Sequence, residues 1–174
     1  MKKVAIFGKP GSGKSTLSKK LASATGIKLY ALDSILYKPN GDEVGRKSYD
    51  EAHESILASE EWIIDGFGPM NSLESFNRRL EEADTLIYIE LPYSATYWLV
   101  TKRLLKGLFL KPEGWPDGAS VLKGTLESYK VLRLCPKFWS DSFLQRLEKV
   151  SANKSLHVVR SISELNSFID KNVQ

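Results

Sequence analysis

Apolar residues along this chain fall into two alternating kinds of stretch. Val4-Ala5-Ile6-Phe7, Ile27 to Leu32, Trp62-Ile63-Ile64, Thr85 to Leu91 and Leu156 to Arg160 are short, almost continuous runs, the pattern of strands covered on both faces. Between them the apolar positions are spaced three and four apart: Leu17 and Leu21; Tyr49, Ala52, Ile56 and Leu57; Leu73, Phe76 and Leu80; Leu122, Leu126 and Tyr129; Phe143, Leu144 and Leu147; Ile162, Leu165, Phe168 and Ile169. That spacing gives helices with one covered face. Five strands separated by helices predict an α/β architecture: three layers, with a five-stranded parallel sheet flanked by helices and ligands gathered at the carboxyl ends of its strands.

Punctuation residues sharpen the boundaries. Gly26 is placed to cap the first helix, Asn71-x-x-Glu74 and Ser161-x-x-Glu164 to open later ones. Residues 38–46 are turn-rich and polar, which predicts a loop. Pro92-Tyr93-Ser94 opens a helix from Ala95 to about Lys106 whose apolar residues wrap most of its circumference, so it is expected to be well buried. Gly107 to Gly118, with Pro112, Gly114, Trp115 and Pro116, reads as an exposed connection, and Pro136 as the start of a further helix. The expectation is one domain over residues 1–174, with a short lid-like segment at about 105–120.

Composition changes this picture little. The chain is 42% hydrophobic and 26% charged with no low-complexity tract, so a packed core is expected. The apolar run after Met1-Lys2-Lys3 ends at Gly8, too short for a signal peptide, and nothing approaches a membrane span, so a cytoplasmic chain is expected. Cys135 is the single cysteine, which excludes an internal disulfide and reads as a small buried hydrophobe. His53 lies on an apolar helix face and His157 within a strand, and both read as packed residues. Charge is more informative: residues 101–150 hold ten Lys or Arg against five Asp or Glu, and this net +5 exceeds the +4 of the whole chain. The excess suits phosphate-binding groups, a nucleic-acid face or solvated helix surfaces. Nothing in the sequence speaks to oligomeric state.

The chemistry is concentrated near the amino terminus. Gly8-Lys9-Pro10-Gly11-Ser12-Gly13-Lys14-Ser15, followed by Thr16, matches G-x-x-x-x-G-K-S/T between a strand and a helix. This is a phosphate cradle: glycines free the backbone so that successive N–H groups converge on an anion at a helix N-terminus. Lys14 is expected to add a point charge on the β- and γ-phosphates of ATP, and Ser15 a hydroxyl ligand for Mg²⁺. With Gly at about 7% of residues, four fixed positions match by chance in well under one chain in a hundred of this size. Asp65 closes the third strand just before Gly66, where a carboxylate needs a partner, and Mg²⁺ held jointly with Ser15 would supply one, with Asp65 acting through water. Asp33 ends the second run, facing either an acceptor or a turn.

With these residues placed, the chain resembles the adenylate-kinase-like P-loop kinases, and most closely the bacterial DNA topology modulation or adenylate-kinase-related group. The resemblance is carried by the cradle, Leu32-Asp33, Trp62-Ile63-Ile64-Asp65-Gly66-Phe67, Arg78-Arg79-Leu80 before Ala83-Asp84-Thr85, and Lys102-Arg103 before the lid-like segment. It implies a P-loop NTPase fold, with ATP held by residues 8–16 together with Arg103 and Arg160, and Mg²⁺ organised by Ser15 and Asp65. By the same resemblance Lys14, Asp33, Asp65 and Arg103 are the catalytic candidates, and residues of about 34–60 flank a small-molecule phosphoryl acceptor. Adenylate kinases follow Asp-Gly-Phe with Pro-Arg, whereas this chain has Gly68-Pro69. That departure, with Asp33, opens the acceptor to small hydroxyl compounds as well as nucleoside monophosphates. The alternatives are a nucleic-acid-associated regulator that responds to nucleotide, or a slow NTPase. Asp65-Gly66-Phe67-Gly68 matches a GTPase D-x-x-G, but Asn153-Lys154-Ser155-Leu156 departs from the guanine-reading Asn-Lys-x-Asp.

Overall fold

The computed structural model describes residues 1–38, 42–69, 73–107 and 121–172. In chain order, β1 (Lys3–Gly8) leads into α1 (Lys14–Thr25), then β2 (Leu29–Ala31), α2 (Leu32–Leu36), α3 (Arg46–Leu57) and β3 (Trp62–Asp65). They are followed by α4 (Leu73–Glu82), β4 (Thr85–Ile89), α5 (Tyr93–Gly107), α6 (Val121–Phe138), α7 (Asp141–Val150), β5 (Ser155–Val159) and α8 (Ile162–Asn172). The five strands form one parallel sheet in the order β2-β3-β1-β4-β5.

Alternation along β1 explains the layers. Val4 and Ile6 face one side with Leu17 and Leu21 of α1 and Leu165 and Ile169 of α8. Ala5 and Phe7 face the other side with Tyr49, Phe76, Leu80 and Leu147. Strands covered on both sides need apolar residues at every position, which is why the runs are continuous. Register then sets the chemistry: Ile6 pairs with Asp65 and Gly8 with Ile89, so the loop after β1 and the end of β3 emerge side by side.

Several expected boundaries differ. The second run gives a strand only to Ala31, because its partner β3 ends at the paired Asp65; Leu32 and Leu36 then bury one turn of α2 in the core, and Asp33 sits in its first turn. Pro136 lies in the last turn of α6 instead of opening a helix; it withholds the N–H that would meet the Leu132 carbonyl, and the turn is still closed beyond it by Trp139 N–H on the Cys135 carbonyl at 2.8 Å. The strongly apolar α5 is not well buried: it buries Thr96 and Val100, while Trp98 and Leu105 stay exposed. Apolar content around a helix does not determine which faces its neighbours reach. Residues 108–120, which hold most of the lid-like segment, and Asn71 lie outside the described residues. Cys135 is buried and His157 packs on Phe168 at 5.0 Å, as expected. Among the described residues no helix is long and apolar enough to cross a membrane.

Candidate active site

The loop after β1 takes its shape from its glycines. At Gly8 a side chain would place Cβ 2.3 Å from the Ile89 carbonyl oxygen, so the chain can leave the sheet here only without one. Gly11 takes φ +72 and lies directly on α5, where a Cβ would meet Val100 Cγ2 at 2.5 Å and the Thr96 carbonyl oxygen at 3.1 Å. Helix α1 starts at Lys14 without a side-chain cap, so its first N–H groups are left for an anion.

Lys14 turns back on its own loop, and Nζ donates to the Lys9 carbonyl at 2.8 Å. Burial pushes its ammonium pKa down, while Asp65 and Asp33 oppose the shift. Lys9 is buried, and its ammonium lies 4.6 Å from the centre of the Tyr93 ring. Thus the Lys9 side chain seats the loop on α5, and its carbonyl meets Lys14. Pro10 is half-buried, Ser15 and Thr16 are exposed, and the buried Ser12 Oγ has no hydrogen-bond partner.

Asp65 is 6% exposed at the end of β3. Its Oδ2 accepts a bond from Ser18 Oγ at 3.3 Å, and among the described residues Oδ1 has no hydrogen-bond partner. Burial pushes the carboxyl pKa up, with Lys14 foremost among the groups that oppose the shift and the Ser15 hydroxyl next. A buried carboxylate with one bare oxygen, beside a serine hydroxyl, suits a hard divalent cation. The described residues contain no cluster of three potential metal ligands. The donor set therefore suits Mg²⁺ that takes most of its ligands from phosphate and water.

Asp33 is exposed in the first turn of α2, and its charge reaches Lys14, Asp65 and Arg103. Arg103 on α5 donates from Nη2 to Ser128 Oγ on α6 at 2.8 Å; burial pushes its pKa down, and Asp33 opposes that shift. The fold thus brings Lys14, Asp33, Asp65 and Arg103 into one electrostatic group from four separate elements. Arg160, just past β5, is not brought into this group: Nε pairs with Glu90 at 3.4 Å and its N–H is held by Glu164 at 2.7 Å, and the charge of Glu90 reaches Lys9. Lys106 is exposed, and Lys111 lies outside the described residues.

Sequence reasoning missed the role of Arg79. It is 1% exposed, and Nη2 donates to the carbonyls of Gly66 and Phe67, each at 3.0 Å. A signal existed: Arg79 falls three residues after Phe76 and one before Leu80, on the covered face of α4, where a cation needs a reason. Burial lowers its pKa to about 10, so it stays charged. His53 is fully buried and stacked on Tyr49 at 5.8 Å, with its pKa lowered to about 4 by burial and then by Arg79.

No family model matches the chain. A curated relative, a shikimate kinase from Rhodococcus erythropolis, is 27% identical over 99 residues; the match takes in 51% of this chain and 59% of that protein, so the chain spans less than two thirds of its length. Among solved structures the chain is similar to a shikimate kinase from Acinetobacter baumannii in complex with shikimate, with a TM-score of 0.59 at 14% identity over 100% of this chain and 92% of that one. It is also similar to a gluconokinase from Sinorhizobium meliloti 1021, with a TM-score of 0.52 at 16% identity over 99% and 89%. These likenesses show the fold, a five-stranded parallel sheet flanked by helices.

Proposed function

We propose that the protein is an ATP-dependent kinase that transfers a phosphoryl group to a hydroxyl of a small molecule. The observation that carries this reading is Asp33: an exposed carboxylate whose charge reaches Lys14, Asp65 and Arg103, placed where an acceptor would meet the phosphate cradle. In this reading the backbone of residues 8–16 holds the phosphates and Lys14 exchanges the Lys9 carbonyl for β- and γ-phosphate oxygens. Ser15 and, through water, Asp65 would hold Mg²⁺, which when bound offsets phosphate charge. Asp33 orients the acceptor hydroxyl and takes its proton as the oxygen bonds to the γ-phosphorus and the bond to the leaving ADP oxygen breaks. Arg103 neutralises the transferring group, and Arg160 contacts the far end of the nucleotide. The named activities of the relatives, shikimate kinase and gluconokinase, support a hydroxyl acceptor. So does the loop after Asp65, where Gly68 at φ +92 and then Pro69 stand in the places of the Pro-Arg pair that adenylate kinases carry there.

A coupled ADP-release assay with ATP and Mg²⁺, run against hydroxy acids, sugar acids, deoxynucleosides and nucleoside monophosphates, tests the reading. The expected result is release stimulated by a hydroxyl compound and lost in Asp33→Asn, with ATP affinity unchanged by calorimetry. Release that no acceptor stimulates and Asp33→Asn does not alter would leave a slow NTPase. DNA binding that responds to ATP would favour the nucleic-acid regulator of the DNA topology modulation type, through the exposed Lys102, Lys106, Lys130, Arg133 and Lys137.

A further inference from the structure

We infer that Arg79 is a positioning residue that fixes the loop after Asp65, and through it the carboxylate offered to the metal; the inference rests on the metal-organising role proposed for Asp65. A cation that is 1% exposed is costly unless its surroundings compensate it, and Arg79 gives two hydrogen bonds to this loop from Nη2, with the Tyr49 hydroxyl beside the guanidinium. Strand β3 has ended, so the carbonyls of Gly66 and Phe67 have no neighbouring strand to donate to them. The positive φ of Gly66 (+117) turns the chain so that both carbonyls face α4, where one guanidinium nitrogen bridges them.

The rest of the loop is wedged from every side. The Phe67 ring lies 4.5 Å from Phe76, 5.6 Å from Trp139 and 6.2 Å from Phe138, and the Arg79 guanidinium covers the Phe76 ring at 5.1 Å. Gly66 lies against Leu32 and Gly68 against the Tyr49 hydroxyl. Among the described residues Asp65 is held lightly, by the 3.3 Å bond from Ser18 to Oδ2 and by the Ser15 hydroxyl beside the carboxylate. Its direction therefore follows its backbone, which is tied by Gly66 N–H to the Ile6 carbonyl at 3.0 Å on one side and by Arg79 on the other. The guanidinium plane, seated on the Phe76 ring, fixes where Nη2 meets both carbonyls, whereas a lysine ammonium is a rotating point charge with no plane to seat.

Arg79→Lys and Arg79→Gln test this, with Leu80→Ala as a control that loosens the buried face of α4 away from the Phe76 ring and the loop. Affinity for a non-hydrolysable ATP analogue is measured by calorimetry in Mg²⁺ and in EDTA, alongside thermal unfolding. The expected result is that both Arg79 variants keep their EDTA affinity within about twofold of the parent but lose at least fivefold of the gain conferred by Mg²⁺. Leu80→Ala should unfold at a lower temperature yet keep that gain. An Arg79→Lys variant that folds and keeps the full gain, or a Leu80→Ala variant that loses it equally, overturns the positioning role alone. A parent that gains nothing from Mg²⁺ overturns the metal reading of Asp65 and this inference together.

Discussion

Substituting Gly11 with alanine makes a sharp test of how the phosphate loop is seated. The new Cβ would stand 2.5 Å from Val100 Cγ2 and 3.1 Å from the Thr96 carbonyl oxygen, at a φ of +72. A left-handed conformation costs a non-glycine residue about 1–2 kcal/mol. Forcing extra volume against a packed neighbour adds about 1–3 kcal/mol, and Val100 is fully buried on a stiff branched side chain. The sum, about 2–5 kcal/mol, corresponds in a chain of 174 residues to a fall in unfolding midpoint of about 4–20 °C. Combining Gly11→Ala with Val100→Ala separates the two parts, because removing the valine methyls relieves the collision and leaves the backbone strain. The double variant should be less destabilised than the sum of the singles by about 1–3 kcal/mol. Thermal and denaturant unfolding read the stability, and calorimetry with ATP should show affinity falling at least tenfold in Gly11→Ala. Stabilities that add within about 0.5 kcal/mol, or a Gly11→Ala protein as stable as the parent, would refute the seating of the loop on α5.

Lys14→Ala should abolish ATP binding while the protein stays folded by circular dichroism; unchanged affinity would remove the loop from the site. Arg103→Ala should cut kcat at least a hundredfold with a modest change in ATP Kd, and Arg103→Lys should rescue little because a point charge cannot bond Ser128 and present a planar fork to phosphate oxygens at once; equal kcat in both variants and parent would exclude it. His53 takes a proton near pH 6.5 when unfolded but only near pH 4 when folded, so the stability it contributes is complete above 6.5 and lost as pH falls towards 4. Denaturation of His53→Phe should therefore show a shallower loss between pH 6.5 and 4 than the parent, and parallel curves would refute the burial argument.

What the sequence made legible was what local chemistry determines. Trp62 to Asp65 is both a strand pattern and the observed strand, and the cradle announces itself because its glycines, lysine and serine lie within eight residues. Asp65 was legible because a carboxylate that ends an apolar run has few uses. Features decided by distant partners were less so. Whether Leu32 continues a strand depends on where β3 stops; whether Trp98 is covered depends on what lies across α5; and the direction of the Lys9 side chain depends on Tyr93. Arg79 was hardest, because its task is to bond carbonyls twelve and thirteen residues earlier in a loop whose turn exists only once the sheet has formed.

The bond from Lys14 to the Lys9 carbonyl has a consequence for which anions the loop admits. A ligand must first displace a contact the loop already makes with itself, so a small anion that engages the lysine alone exchanges one hydrogen bond for another and gains little. A polyphosphate gains more, because it can meet the freed ammonium and the N–H groups at the start of α1 together, each as a charge-assisted bond. In the proposed reading the loop acts as a threshold detector: it should stay closed on itself amid millimolar inorganic phosphate and open for a chain of phosphates long enough to reach both ends.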